Sequence, residues 1–333
     1  MTMMSTRDAI RSVLSSELAR DRRTVYLGET IRHTGATGAS RRLFEQFGPR
    51  QVIETPVSEN GIFGAALGLA LGGYRLIVEI YSADFALAVA NEIIGDFAKW
   101  QQQQARRQGL PITVRGWMGA TEGLGPEHSQ CMEAYFHHAP GLTILCPGTP
   151  ADMAGLLRSA IRLDAPAFVL EHRRLYDLEG EVPDDPDFTL DIGRAEVVTE
   201  GSDVTIVSWA WMRHLCAEAV GKLRQLDIKA ELIDLRTIKP LDFAAVQRSV
   251  QKTGRLVVVE EAPVTGNIGA EILARTSEQV SRPVRAVRAA MPDMIHPYSS
   301  LMEKEILPDV KLVMSAVESV IAGRSTRALV NRP

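Results

Sequence analysis

Six short apolar runs in the first half of the chain, separated by helix-forming segments and loops, constrain the fold more than any other feature. They are Thr24–Glu29, Ile53–Thr55, Tyr74–Ile80, Ile112–Arg115, Leu142–Pro147 and Ala167–His172. Strands that alternate with helices need crossover connections, so these runs are expected to form a parallel α/β sheet. Three more buried-type strands, Asp203–Ser208, Ala230–Leu235 and Arg255–Glu260, predict a second α/β domain. The acidic, proline-bearing run Glu179–Asp187 between the two sets reads as a linker. A length of 333 residues suits two domains. The expected division is 1–182, a linker at 183–190, a second domain at 191–323 and a loose tail at 324–333.

Hydrophobic residues make up 45% and charged residues 23% of the chain, as in soluble globular proteins. A net charge of -4 gives no electrostatic reason to expect nucleic acid. No apolar run is long enough to span a bilayer, and Met1–Asp8 lacks the apolar core of a signal peptide, so a cytoplasmic enzyme without membrane attachment is expected. Cys131, Cys146 and Cys216 form no Cys-x-x-Cys pair and suggest neither a disulfide framework nor a zinc site.

Within this pattern, Ile53-Glu54-Thr55-Pro56-Val57-Ser58-Glu59-Asn60-Gly61-Ile62 reads as a strand crossing into a small-residue helix. Such crossovers, at the carboxyl ends of parallel strands, are where ligands bind. Glu59 at that point has two readings: a carboxylate favoured by the helix dipole, or a proton-sharing group with a raised pKa facing a ligand. A glycine-rich stretch, Gly116–Glu127, reads as a loop that delivers His128-Ser129-Gln130. Its spacing fits neither phosphate-binding pattern, and loops of this length are usually functional.

Taken together, Thr55–Gly61, His128-Ser129-Gln130, His138–Leu142, Glu171–Tyr176 and Asp234–Asp242 resemble the β subunit of the thiamine-diphosphate-dependent first component of 2-oxoacid dehydrogenase complexes, of the pyruvate and acetoin type. The resemblance runs from about Arg7 to about Ala322. It implies a pyrimidine-binding domain with a parallel-type sheet, followed by a transketolase C-terminal-like α/β domain. It assigns Glu59 to the aminopyrimidine ring nitrogen, where sharing a proton promotes deprotonation of the thiazolium carbon. It places Phe85 stacked on that ring and counts Val57 and Glu29 with the cofactor-binding residues. Phe85 has a competing reading as a core aromatic, and Glu29 could equally be a loop or helix-start carboxylate. His128 is assigned to acyl transfer to a lipoyl group, a step suited to a side chain that titrates near neutrality. Family members also bind potassium through backbone carbonyls, matching positions near Ile112, Ala160 and Leu163.

The chain departs from the family's wider pattern in useful ways. Magnesium and the diphosphate require a Gly-Asp-Gly with a downstream Asn, and the nearest approach here is Gly95-Asp96-Phe97. The resemblance therefore implies half an active site, completed by an α subunit in an α2β2 heterotetramer. Glu127 precedes His-Ser-Gln where the family has an uncharged residue, and a carboxylate there is expected to raise the histidine pKa. The expected substrate is a small 2-oxoacid or acetoin, with a lipoyl acyltransferase as acceptor. A transketolase-like pair serving a carrier-protein thiol and a non-catalytic scaffold subunit are the alternatives.

Overall fold

The computed structural model describes residues 1–32, 37–104, 108–121, 123–323 and 328–331. The chain divides into two compact units, Met1–Met118 with Tyr135–Ile192, and Gly119–Ala134 with Gly193–Pro333.

In chain order the first unit begins with β1 (Thr2–Ser5), α1 (Thr6–Arg20), β2 (Thr24–Glu29), α2 (Leu43–Phe47), β3 (Val52–Thr55), α3 (Glu59–Leu71) and β4 (Arg75–Ser82). It continues with α4 (Ala98–Gln103), β5 (Ile112–Met118), the short α5 (Glu133–His137) on which the chain returns, β6 (Thr143–Leu145), α6 (Pro150–Arg162), β7 (Ala167–His172) and β8 (Glu179–Val182). Its main sheet is parallel, in the order β6-β7-β5-β4-β2-β3. Every residue of β2 is buried, as expected for a parallel strand covered on both faces. Register sets Glu29 opposite Thr55, Gly28 opposite Glu79, and Glu79 opposite Arg115. The ends of β2 and β3 are thus level, four residues before Glu59. Helix α1 starts where the Ser5 hydroxyl accepts from the Asp8 N–H, and α6 where Thr149 caps and Pro150 follows. The core is fastened by the stacked rings of Phe63 and Phe97, 5.8 Å apart, and the edge-on pair Phe136 and Phe168.

Several local expectations change. The run Ala83 to Arg107 has no proline and its sequence is compatible with one long helix, but it is broken into a 3-10 turn at Ala83–Leu87, a π-helix at Asn91–Phe97, and α4. Its residues 105–107 lie outside the described ones. β5 extends through Gly116-Trp117-Met118, read above as loop. Gly116 is there for close packing, since a Cβ would stand 2.6 Å from Ile80 Cγ2. The first part of the acidic run read as a linker is β8, paired antiparallel with β1 from Thr2 opposite Val182. Residues beyond it are also held in the first unit: Arg158 donates to the Phe188 carbonyl and Ser159 to that of Leu190.

The second unit contains β9 (Glu196–Thr199), β10 (Val204–Ser208), α7 (Met212–Arg224), β11 (Ala230–Asp234), β12 (Thr237–Lys239), α8 (Phe243–Thr253), β13 (Arg255–Pro263) and α9 (Ile268–Gln279). It ends with β14 (Arg285–Met291), α10 (Ser300–Ile306), α11 (Val310–Ile321) and β15 (Leu329–Val330). The sheet order is β15-β14-β13-β10-β11-β9, parallel except for β9. Its core joins β10, β11, β13 and β14 to α7 and α11 through Ile206, Leu232, Val257, Val287, Cys216 and Val317. β15 falls in the tail expected to be loose, because Leu329 and Val330 pair with Ala289 and Ala290 at the sheet edge. Residues 324–327 and 332–333 of that tail, and His33, lie outside the described residues. Among the described residues no helix is long and apolar enough to cross a membrane.

Candidate active site

Glu59 is the first residue of α3, reached from the end of β3 through Pro56-Val57-Ser58. Ser58 makes no side-chain cap, so Glu59 is the only acidic group in the first turn of a helix whose N–H groups favour negative charge. Its side chain is half-buried, and Val57 is 73% exposed. Asn60 beside it donates to Glu92 Oε1 at 3.1 Å and to the Ala88 carbonyl at 3.3 Å, tying the start of α3 to the π-helix. Interruptions of that kind are frequent at functional sites.

Glu29 ends β2 and is only 6% exposed. Its buried Oε2 has no hydrogen-bond partner among the described residues. Burial, then the carboxylate of Glu59, then that of Glu79, raise its pKa above the ordinary range. Phe85, half-buried on the 3-10 turn, stacks at 6.5 Å on Tyr81, which meets Trp117 edge-on. The outward face of α3 carries exposed Gly61, Gly64, Ala65 and Gly68, and a Cβ at Gly64 or Gly68 would meet nothing within 4 Å.

The same sheet holds a buried charged network that the sequence did not reveal. Arg115 clasps Glu171 through Nε to Oε1 and Nη2 to Oε2, both at 2.7 Å, and also bonds Glu79. The Tyr26 hydroxyl donates to Glu79 and that of Tyr176 to Glu171. Burial first, then the adjoining carboxylates, push both tyrosine pKa values well above the usual one. Burial opposes the charge on Arg115, but Glu171 and Glu79 together hold it firmly protonated. Arg115 is 36 positions from one acid and 56 from the other, beyond any local spacing rule.

His128 belongs to the second unit, on a segment folded on itself. The Gly119 N–H donates to the Gln130 carbonyl, the Gln130 side chain to the Pro126 carbonyl, and the His128 N–H to the Gly125 carbonyl at 3.3 Å. His128 is partly exposed and Ser129 fully buried. Glu127, expected to act on the histidine, accepts the Tyr298 hydroxyl on both oxygens at 2.6 and 2.8 Å. That bond, more than the nearby His128, holds its carboxyl below the usual range. Glu122 of this loop lies outside the described residues.

The carbonyls at the end of α6, near which potassium is expected, are already engaged. Arg75 donates from Nη1 to the Ile161 and Leu163 carbonyls at 2.7 and 2.5 Å, and from Nη2 to Asp164 at 2.7 Å. The Ala160 carbonyl accepts from the Leu163 N–H. A guanidinium there supplies the positive charge, and these residues do not fit a potassium ion.

The transketolase pyrimidine-binding domain family matches residues 2–179, and the transketolase C-terminal domain family residues 193–313. A pyruvate dehydrogenase E1 component subunit beta of Rhizobium meliloti is 37% identical over 325 residues, covering 96% of this chain and 70% of that protein. The mitochondrial counterpart of Drosophila melanogaster is 38% identical over 334 residues, covering 98% and 91%. The chain belongs to the pyruvate dehydrogenase E1 β-subunit family. A split-gene transketolase, an inactive β4 tetramer, shares the fold with a TM-score of 0.77 at 23% identity, over 97% of this chain and 99% of that one. The two α/β domains and the family read from the motifs are therefore established. In this β subunit, Glu29, Glu59, Val57 and Phe85 all lie on the first unit and His128 on the second.

Proposed function

We propose that this β subunit binds the aminopyrimidine half of thiamine diphosphate and, with an α subunit, decarboxylates a small 2-oxoacid or cleaves acetoin, passing the acyl group to a lipoyl acyltransferase. The observation that carries this reading is the pair Glu29, at the end of β2, and Glu59, at the start of the helix that follows β3, with a buried Glu29 oxygen that no described side chain or backbone group satisfies. A ligand that presents a ring nitrogen and an amine meets the needs of both carboxyls. The bound cofactor supplies the carbanion-stabilising chemistry that no side chain here provides. Glu59 holds and returns the proton on the ring nitrogen, favoured at the helix start. Burial and the carboxylate of Glu59 raise the Glu29 pKa, which favours a hydrogen bond between its carboxyl and a ligand amine. Phe85 offers an aromatic face, Val57 an exposed apolar contact, and His128 a proton for the sulfur released when the lipoyl S–S bond opens and its neighbour takes the acyl group.

Gly95-Asp96-Phe97 lies inside the π-helix, so the magnesium and diphosphate are assigned to the α subunit of an α2β2 assembly. The small-residue face of α3 suits close subunit packing. Coexpression with the α-type partner, followed by calorimetric titration of thiamine diphosphate and magnesium, tests the reading. Binding and 2-oxoacid turnover in the pair, with turnover lost in Glu59→Gln, are expected. A folded pair that binds no cofactor overturns it.

A further inference from the structure

The glycine-rich stretch before His128 has a structural reason that mobility does not supply. Gly123 has φ +74° and Gly125 φ +80°, backbone that glycine adopts without cost. A Cβ on Gly123 would stand 2.4 Å from the Tyr298 carbonyl oxygen and 2.7 Å from the Ser300 nitrogen. One on Gly125 would stand 2.1 Å from the Tyr298 ring. The glycines let this strip of chain lie directly on the segment that leads into α10.

Side chains of the second unit then fasten the strip at successive points. Glu261, on β13, accepts the Ala120 N–H at 2.7 Å. Glu303, on α10, accepts the Gly123 N–H through Oε2 at 3.1 Å. The Tyr298 hydroxyl bonds Glu127, next to the histidine. Beyond the histidine, Glu133 accepts the Trp209 indole N–H at 2.7 Å. Ala120 closes an apolar cluster with Met291, Ile306 and Leu307. Glu261 and Glu303 are both buried, and the Glu261 bond to Ala120 is made away from water, where losing one partner is costly.

We propose that Glu303, Glu261 and Tyr298 are positioning residues for His128, clamping its loop onto the second unit so that the imidazole is presented in one place. The proposal rests on the role given to His128 above. A rigidly presented group is worth orders of magnitude in a transfer step, and a displacement of about 1 Å can cost ~10²-fold. The clamp also explains the spacing of the segment: the three fastenings before the histidine fall on Ala120, Gly123 and Glu127, and His128 directly follows the third.

The test uses the assembled complex with its lipoyl acceptor, comparing wild type with Glu303→Ala, Glu303→Gln, Tyr298→Phe and His128→Ala. Amide hydrogen exchange over residues 119–130 reports the clamp independently of catalysis. Glu303→Ala is expected to speed that exchange about tenfold and to lower kcat for transfer to the lipoyl acceptor by about tenfold. Its KM for the acceptor and its decarboxylation rate with an artificial oxidant are expected to stay within about twofold. Glu303→Gln keeps an oxygen acceptor for the Gly123 N–H and is expected to restore most of both properties. Unchanged exchange in Glu303→Ala overturns the clamp, and faster exchange with unchanged transfer overturns positioning. Should Glu303→Ala fail to fold, Tyr298→Phe, which keeps the ring and loses only the hydroxyl, answers by the same two readouts. Normal transfer in His128→Ala would sink the histidine's assigned role, and the positioning proposal with it, whatever the exchange shows.

Discussion

The first unit treats its acids in two opposite ways within one sheet. Glu79 and Glu171 share the Arg115 guanidinium and the hydroxyls of Tyr26 and Tyr176, away from solvent. Glu29, one residue past the Gly28 that faces Glu79 across the strands, has a buried oxygen without a partner and the Glu59 carboxylate for a neighbour. Buried charges that only hold a fold together are paired as they fold, because an unpaired one costs several kcal/mol. An acid left wanting a donor at a strand end is arranged for something that arrives later. The contrast lies in the cation: Glu79 and Glu171 share Arg115, whereas Glu29 has no ion pair among the described residues.

Breaking the paired set should have the largest effect. Arg115→Met leaves two buried carboxylates without their shared cation and is expected to cost about 3–5 kcal/mol, read from the denaturant midpoint of the assembled protein. Glu59→Gln should invert that pattern, with turnover down by roughly 10²-fold or more and the melting temperature unchanged or raised. A loss of stability matching that of the arginine variant would erase the distinction between the two sets.

Glu260 sharpens the comparison in the second unit, where a buried acid accepts the Gly269 N–H and no ion pair lies within contact distance among the described residues. Burial pushes its pKa from 4.5 up to about 8, against the Gly269 bond and the charge of Arg288, with Glu133 adding to the rise. Between those two values the folded state binds the extra proton, so stability falls as pH rises through the window. Glu260→Gln is expected to remove that slope, which for one proton cannot exceed about 1.4 kcal/mol per pH unit. Melting temperatures of the two proteins at pH 5 and pH 8.5 should differ mainly at the higher value. The smallest effect belongs to Arg75, half-exposed over the end of α6 with an exposed Asp164. Arg75→Met should cost about 1 kcal/mol or less. Replacing potassium with tetramethylammonium at constant ionic strength should leave the wild-type melting temperature unmoved.

Much of this was legible in the chain's own letters, and for a reason of scale. Apolar runs such as Leu256-Val257-Val258-Val259, and the strand-proline-helix crossing at Glu59, are set by residues a few positions apart. The Arg115 network, the pairing of β8 with β1 and the docking of Gly123 on Tyr298 join residues tens to hundreds of positions apart, and no periodicity announces them. The π-helix at Asn91–Phe97 was hidden for another reason. Its residues suit a regular helix, and the Asn60 bonds that accompany its departure come from a different element. The candidate site was readable as residue types, while the reason Glu29 matters depended on what surrounds it.

Helix α3 sets two selection pressures against each other. In the single chain, an added methyl at Gly64 or Gly68 touches nothing, and helix propensity alone predicts a gain of roughly 0.5–1 kcal/mol at each position. A library sorted for heat resistance of the lone subunit would therefore enrich alanine there. The same library sorted for recovery of a working assembly would discard it, if this is the face on which the partner lies. Comparing the two enrichments, position by position along one helix, would map the hidden contact without any structure of the complex.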